Sequence, residues 1–361
     1  MCEKRVLHII NGMSDGGAET YIMNVYRTVV DLGIQFDFLL RDKGQKSFYL
    51  DEIKKLGGRV FYVSYFPTHA ILNYIQTKQF LEHHEEYKII EIHANALFYI
   101  SPLLILKKLN RKVIVHSHST RTRLPIMKPI HYVNREIISR MNIDRISCSK
   151  KAGIWMFRNE FKVVANAINL KRFYEVKDKK KYNEKFVFAC VAKFMPVKNH
   201  KYLLELFREF HEKESSSILI LIGDGPTRGE IEILANKLGI SNSVEFCGSV
   251  SDPERIIANA TCFLLPSYYE GIPLTLIEAQ ALNLHCVVST NVDKECNITG
   301  LVDFVELKNK REWLLKMHQI KKMDRNKLMN KLDNSGYNID KNIEIYQKLY
   351  TKKEIKINEL Q

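Results

Sequence analysis

Short apolar runs alternate with longer amphipathic stretches through the first half of the chain. Residues 6–10 read as a strand, and 18–32 as a helix with Ile22, Val25, Tyr26 and Val29 on one face. A second strand follows at 36–40 and a second helix at 47–56. Residues 59–63, 89–92 and 113–115 continue as strands, with helices at 71–84 and 96–109. Strands alternating with helices imply a parallel, doubly wound sheet, which binds ligands beyond the carboxyl ends of its strands. The texture changes at 171–185, KRFYEVKDKKKYNEK, where apolar positions are few and charges consecutive. The pattern then restarts, with strands at 186–192, 218–222, 244–246 and 260–265 and helices at 200–212 and 228–238. From Lys308 onward, periodic Leu, Ile and Tyr among Lys, Asn and Asp suggest further helices. The expected organisation is a first α/β domain over 1–170, a linker over 171–185, a second α/β domain over 186–335 and a helical segment over 336–361.

Composition supports two cores. A chain of 361 residues with 45% hydrophobic content exceeds what a single small core needs. The seven cysteines, Cys2, Cys148, Cys190, Cys247, Cys262, Cys286 and Cys296, are scattered singly and odd in number, so neither a disulfide framework nor a zinc knuckle is suggested and a reducing cytoplasm fits. The first apolar run, RVLHII, is interrupted by Asn11 and Gly12, too short for a signal sequence or a membrane span. The formal charge of +14 calls for an anionic partner. Basic residues are frequent from Lys107 to Arg140, including Lys108, Arg111, Arg121, Arg123, Lys128 and Arg135. This stretch has no nucleic-acid motif and no aromatic ladder among its charges, so an anionic membrane surface or a lipid-diphosphate substrate explains it better than nucleic acid. A solvated face without a partner is the plainer alternative.

The densest chemistry lies in SYYEGIPLTLIEAQALNLHCVVS, residues 267–289. Pro266 ends a buried strand, Gly271 permits a tight turn, Pro273 suits a helix start, and Leu274, Ile277, Glu278 and Ala281 recur at helical spacing. Glu270 therefore sits over a helix N-terminus and Glu278 in its opening turns. Backbone N–H groups there favour an anion, and carboxylates accept hydrogen bonds from hydroxyl groups. A ligand with phosphate in its middle and polyols at both ends satisfies both; the alternative is that the two glutamates only complement the helix dipole.

Glu270-x7-Glu278 in PSYYEGIPLTLIEA resembles the E-x7-E signature of family 4 retaining glycosyltransferases. The resemblance covers about residues 4–350. It implies the GT-B fold, two Rossmann-like doubly wound domains facing across a cleft, with a terminal helix that crosses back to the first domain. It also implies that Glu278 binds the nucleotide ribose and Glu270 lies beside the transferred sugar carbon.

Other segments fall in the order that resemblance requires. Asn11-Gly12 and Gly16-Gly17-Ala18-Glu19 lie between the first strand and helix, where glycines let backbone approach phosphate, and they lack the spacing of a dinucleotide fingerprint or a P-loop. In the family such a loop covers the donor diphosphate; a simple strand-to-helix turn is the alternative. VIVHSHST, 113–120, puts His116 and His118 on one side of an extended strand. No neighbouring Asp or Glu in this segment completes a metal-ligand set, so no metal is expected. The family instead implies one histidine contacting the transferred sugar, His118 before His116. VAKFMPVKNH, 191–200, supplies Lys193 and Lys198 to stabilise a departing nucleoside diphosphate. Ala192-Lys193 departs from the family's usual Gly-Arg, losing the bidentate fork, and both lysines read alternatively as surface charge. Gly223 in IGDGP, 222–226, allows close packing near a nucleotide. Ala167 in VVANAIN stands where the family often has glycine.

The expectation is a retaining glycosyltransferase that needs no metal and no cofactor, moving a sugar from a nucleotide-diphosphate donor, with uridine the favoured base, to a glycan or lipid-diphosphate-linked acceptor in surface polysaccharide synthesis. Its location would be cytoplasmic, with peripheral attachment to the membrane. A sugar-nucleotide 2-epimerase of the same fold and a non-catalytic glycosyltransferase-like binding partner are the alternatives.

Overall fold

The computed structural model describes residues 4–41, 48–122, 125–176, 182 and 186–350. Contacts divide the chain into two compact units, one formed by 1–167 together with 339–361 and the other by 168–338.

In the first unit, strands β1 (Lys4–Ile10), β2 (Ile34–Leu40), β3 (Val60–Tyr62), β4 (Ile89–Ala94), β5 (Lys112–Ser117), β6 (Asp144–Ser147) and β7 (Lys162–Val163) form one sheet in the order β3-β2-β1-β4-β5-β6-β7. Every pairing is parallel. The strand order reverses direction between β1 and β4, which is the switch point of a doubly wound sheet. One layer beside the sheet is apolar, with Leu7, Ile9, Ile90, Ile92, Val113 and Val115 packed on Leu103, Leu106, Ile138 and Met156.

The helix Gly17–Val29 buries the expected Ile22, Val25, Tyr26 and Val29, but also Tyr21, Met23 and Asn24. Its second face is covered because the helix Ile343–Leu349 of the returning segment packs on it, a long-range contact that periodicity cannot show. Residues 351–361 of that segment lie outside the described residues. The helix expected over 96–109 is confined to Ser101–Leu106 and carries Pro102 in its first turn. Side chains hold the backbone before it: Leu97 N–H donates to His131 Nδ1 at 3.0 Å, Asn134 donates to the Leu97 carbonyl at 2.6 Å and Trp155 to the Asn95 carbonyl at 3.0 Å. In place of the helix expected over 47–56, the structure has Leu50–Lys55, and residues 42–47 lie outside the described residues.

The second unit carries β8 (Val187–Val191), β9 (Ile218–Ile222), β10 (Val244–Gly248), β11 (Cys262–Leu265), β12 (His285–Ser289) and β13 (Val302–Val305), in the order β10-β9-β8-β11-β12-β13, again parallel. Its core includes Phe186, Phe188, Phe207 and Phe210, with Phe188 meeting Phe210 edge-on at 4.8 Å between ring centroids. Aromatic pairs of this geometry add to the area they bury. The segment expected as a linker holds the helix Leu170–Tyr174, capped by Asn169, which packs on the helix Leu274–Ala281. Residues 177–181 and 183–185 lie outside the described residues.

Candidate functional site

In the second unit the chemistry gathers where three strand-to-helix loops meet. The loop after β8 carries Lys193 and Lys198, that after β9 Gly223, and that after β11 Glu270 and Gly271. The loops are tied through backbone: Phe194 N–H donates to the Asp224 carbonyl at 3.0 Å, and Tyr268 N–H to the Val197 carbonyl at 2.8 Å. Gly223 shows why glycine is needed, since its φ is +134° and a Cβ there would lie 2.2 Å from the Ala192 carbonyl oxygen. Asn199, left-handed at φ 58°, ends the short turn Pro196–Lys198 and donates to the Pro266 carbonyl at 3.2 Å. Gly271 has open space where a Cβ would stand.

These ties bring the Lys198 ammonium onto the Glu270 carboxylate as a direct ion pair, and Ser267 Oγ donates to Glu270 Oε1 at 2.9 Å. Both charged side chains are largely buried. Lys193 is exposed at the same loop.

Glu278, eight residues on, has the opposite environment. It is only 8% exposed, yet its carboxyl has no hydrogen-bond partner among the described residues. Burial first, and the neighbouring Glu254 second, push its pKa up to about 7, against a smaller opposing pull from Arg172. Arg172 is held by Glu254 at 2.6 Å and Asp252 at 3.3 Å. The sequence reading missed Arg172 and Glu254. Arg172 lies in a charged stretch taken for a linker, and Glu254 opens the short helix Pro253–Ile257, so neither had a motif to mark it.

In the first unit, Gly16 and Gly17 open the helix Gly17–Val29, with Gly16 as its N-cap residue and Glu19 in its first turn. A Cβ on Gly16 would meet the Glu19 carboxylate at 2.4 Å, whereas Gly17 is clear. Across the sheet, His116 and His118 share a side as the strand period requires, with ring centroids 4.1 Å apart. His116 is wholly buried and His118 partly exposed. The structure adds partners the sequence reading did not gather. Register sets His8 of β1 beside Glu91 of β4, and His93 of β4 beside His116 of β5. His8 Nδ1 meets His93 Nε2 at 2.9 Å, His93 Nδ1 meets His118 Nε2 at 2.9 Å, and His116 Nδ1 meets Glu91 Oε1 at 2.8 Å. Burial lowers all four histidines below the ordinary range, His8 to about 4 and His116 to about 3, so the rings are neutral at pH 7.

The premise that no carboxylate stands near the paired histidines is therefore corrected, because Glu91 reaches them from the adjacent strand. The period-two pattern Glu91-x-His93 in EIHA was the available signal. Two sets, His93/His116/His118 and His8/Glu91/His93, have ligand atoms within 4.8 Å of one another. The two His–His contacts at 2.9 Å are hydrogen-bond distances. Two imidazole nitrogens on one tetrahedral zinc, with bonds of about 2.0–2.1 Å, stand roughly 3.3 Å apart.

Known proteins match this arrangement. The family model described as Glycosyltransferase Family 4 matches residues 15–172, and Glycosyl transferases group 1 matches 172–337. The putative glycosyltransferase EpsF of Bacillus subtilis (strain 168) is 30% identical over 331 residues, covering 84% of each chain. The UDP-Gal:alpha-D-GlcNAc-diphosphoundecaprenol alpha-1,3-galactosyltransferase of Escherichia coli is 25% identical over 236 residues, 59% of each. Among solved structures, Anabaena HepE in complex with UDP superposes with a TM-score of 0.71 at 15% identity, over 96% of this chain and 99% of that one, a likeness of fold. Two parallel Rossmann-like sheets with this likeness define the GT-B class. The chain belongs to the family 4 glycosyltransferases.

Proposed function

We propose that this glycosyltransferase takes its sugar from a UDP-sugar, works with retention and without a metal, and delivers to a glycan or lipid-diphosphate-linked acceptor in surface polysaccharide synthesis. The observation that carries the reading is Glu278: a buried carboxyl with no hydrogen-bond partner among the described residues, set in a helix whose entry loop carries Glu270 beside Lys198. Such a carboxylate lacks the donors that would offset its desolvation, and two ribose hydroxyls supply them. The Lys198 ammonium is placed to take negative charge from a departing diphosphate, exchanging Glu270 for phosphate oxygen. Glu270 then stands free to face the sugar carbon. His118 keeps one neutral ring nitrogen on His93, and its Nδ1, buried and without a partner among the described residues, is the nitrogen left for a sugar hydroxyl. Gly17 leaves room for phosphate, and Lys193 adds positive charge. The relatives, one a UDP-galactose enzyme with a lipid-diphosphate acceptor and one of like fold solved with UDP, support the choice of donor and acceptor class.

Peripheral attachment to the cytoplasmic membrane face belongs to the same proposal. No described helix is long and apolar enough to cross a membrane. The helix Lys128–Ser139 and the turn before it expose Ile126 (86%), Ile130, Val133 (61%) and Ile137, an i, i+4, i+7, i+11 stripe, near exposed Lys128 and Arg140. Arg123, counted with this basic stretch, lies outside the described residues. An apolar stripe amid basic groups suits an anionic bilayer surface.

Calorimetry with UDP-, GDP- and ADP-sugars in chelator, on wild type and Glu278→Ala, tests the donor site. UDP-sugar binding that is lost in the variant is expected. Binding by none of them, or equal binding by the variant, removes the ribose role. Product formed from donor alone with inverted C2 would make the protein an epimerase instead.

A further inference from the structure

The buried histidines of the first unit are connected to the end of the described chain. Tyr350, just after the helix Ile343–Leu349, donates its hydroxyl to Glu91 Oε2 at 2.8 Å, and Glu91 Oε1 meets His116 Nδ1 at 2.8 Å. Lys112 Nζ anchors the same helix end, donating to the Leu349 carbonyl at 2.8 Å. Tyr350, Glu91 and His116 are buried, and the Glu91–His116 pair has two states with a neutral ring, the second holding one proton more than the first, taken from solvent. Either Glu91 is ionised and accepts from His116 Nδ1–H, leaving a lone pair on His116 Nε2. Or Glu91 is neutral and donates to His116 Nδ1, leaving an N–H on Nε2. His116 Nε2 has no hydrogen-bond partner among the described residues in either case.

We propose that Tyr350 and Glu91 are positioning residues of the histidine site, fixing His116 as its Nδ1–H tautomer, and that the returning C-terminal segment is in this way part of the catalytic apparatus. Among the described residues, Tyr350 and His116 are the groups that hydrogen-bond to the Glu91 carboxyl. From the sheet, His8 Nδ1 and His93 Nδ1 stand 3.9 Å from the Glu91 carboxylate, beyond hydrogen-bond range, and both rings are neutral. From the helices, Tyr21 and Tyr346 are held in their neutral form by burial. Burial raises the Glu91 pKa, and two neighbours oppose that, His8 through space and then the Tyr350 hydroxyl by bonding to the carboxylate form. Removing one hydroxyl therefore favours uptake of one solvent proton by the pair, so that Glu91 becomes neutral and donates to His116 Nδ1 while the ring carries its own hydrogen on Nε2. The tautomer matters to the neighbouring ring because His116 lies against His118, 4.1 Å between centroids and tilted by 30°. Reversing the tautomer reverses which nitrogen beneath His118 carries hydrogen. A carboxylate behind an imidazole sets its tautomer and orientation in this manner in other catalytic sites.

The part of the proposal that concerns turnover rests on the glycosyltransferase reading; the tautomer does not. The test is 15N-histidine NMR of the full ligand-free chain, with His116 assigned by its loss in His116→Asn, in wild type, Tyr350→Phe and the control Tyr346→Phe. Release of UDP from UDP-sugars by the same proteins is measured across pH 6–9. The expected result is Nδ1–H at His116 in wild type and Tyr346→Phe, and Nε2–H in Tyr350→Phe. With it, kcat falls roughly ten-fold, the size seen when groups behind a site residue are removed, while KM holds. Nε2–H in wild type overturns the proposal, and needs no variant to fold. An unchanged tautomer in Tyr350→Phe also overturns it, as does an equal loss of kcat in Tyr346→Phe, which would make the effect one of packing. A shifted tautomer with unchanged kcat removes the catalytic role. Absence of turnover by wild type with any UDP-sugar counts against the donor reading, and the NMR still decides the tautomer.

Discussion

Glu278→Gln separates the cost of the buried carboxylate from its use. Moving a carboxyl from its ordinary 4.5 to about 7 corresponds, at about 1.36 kcal/mol per pH unit, to about 3 kcal/mol of strain once the group is ionised. The sign follows from proton counting. Between pH 4.5 and 7 the folded protein holds a proton at Glu278 that the unfolded chain has released, so stability falls as pH rises through this window and the full penalty is present above pH 7. Glutamine keeps the shape and cannot ionise. The variant should therefore be about 1–3 kcal/mol more stable than wild type at pH 8, the lower bound allowing for local relaxation and water, and little different at pH 4.5. Urea unfolding at the two pH values measures this. The same variant should lose most of its affinity for UDP. In wild type, UDP affinity should drop by up to about ten-fold per pH unit below 7, because binding to the ionised form must first release the proton. A variant less stable than wild type at pH 8, or a gain equal at both pH values, would refute the assignment of strain to this carboxyl. A stability gain with unaltered UDP affinity would leave the strain and remove the ribose contact.

Other consequences are more direct. Lys198→Ala should lower turnover by roughly 10² to 10³ while circular dichroism stays unchanged, and undiminished turnover would take Lys198 out of the mechanism. Glu270→Gln frees Lys198 from its ion pair, so UDP should bind more tightly and the UDP-sugar should turn over more slowly; weaker UDP binding in calorimetry would contradict the exchange of Glu270 for phosphate. Gly223→Ala places a Cβ 2.2 Å from the Ala192 carbonyl oxygen at a φ of +134°, and should cost roughly 1–3 kcal/mol by thermal unfolding. Ile126→Ser with Val133→Ser removes two exposed apolar groups at roughly 1.5 kcal/mol each, so binding to anionic vesicles should weaken about a hundred-fold with detergent-solution activity intact; equal vesicle binding would assign attachment elsewhere.

The parts of this molecule legible in its sequence are those encoded locally. The strand patterns before the loops at Gly16, Lys198, Gly223 and Glu270 are continuous apolar runs, as strands buried on both faces should be, and the structure places each of those residues at a strand-to-helix junction. What was not legible depends on register and on distant chain. Glu91 comes beside His116 only because β4 and β5 pair with His93 opposite His116, and His8 joins only through β1 against β4. Arg172 faces the Glu278 environment because its helix packs on Leu274–Ala281, a contact a charged segment does not announce. The last two strands of the first sheet, β6 and the edge strand β7, were lost as well. β6 opens with Asp144 and Arg145, and β7 has two residues, too little for alternation to register.

Both units share a way of storing charge that bears on how a doubly negative ligand is accepted. In the second unit the Lys198 ammonium is already neutralised by Glu270, and Glu278 sits near its midpoint at pH 7. In the first, four histidines are kept neutral by burial and the carboxylate among them is stabilised by a tyrosine hydroxyl from the far end of the chain. A free ammonium would hold a nucleoside diphosphate as tightly before transfer as after it, which lowers KM without raising kcat. An ammonium that must leave a carboxylate gives up part of its binding to the resting donor. Its hold strengthens as charge accumulates on the leaving phosphate, and that difference is what accelerates transfer. If Lys198 serves the departing phosphate as proposed, the strength of its pair with Glu270 sets how binding energy is divided between donor and transition state.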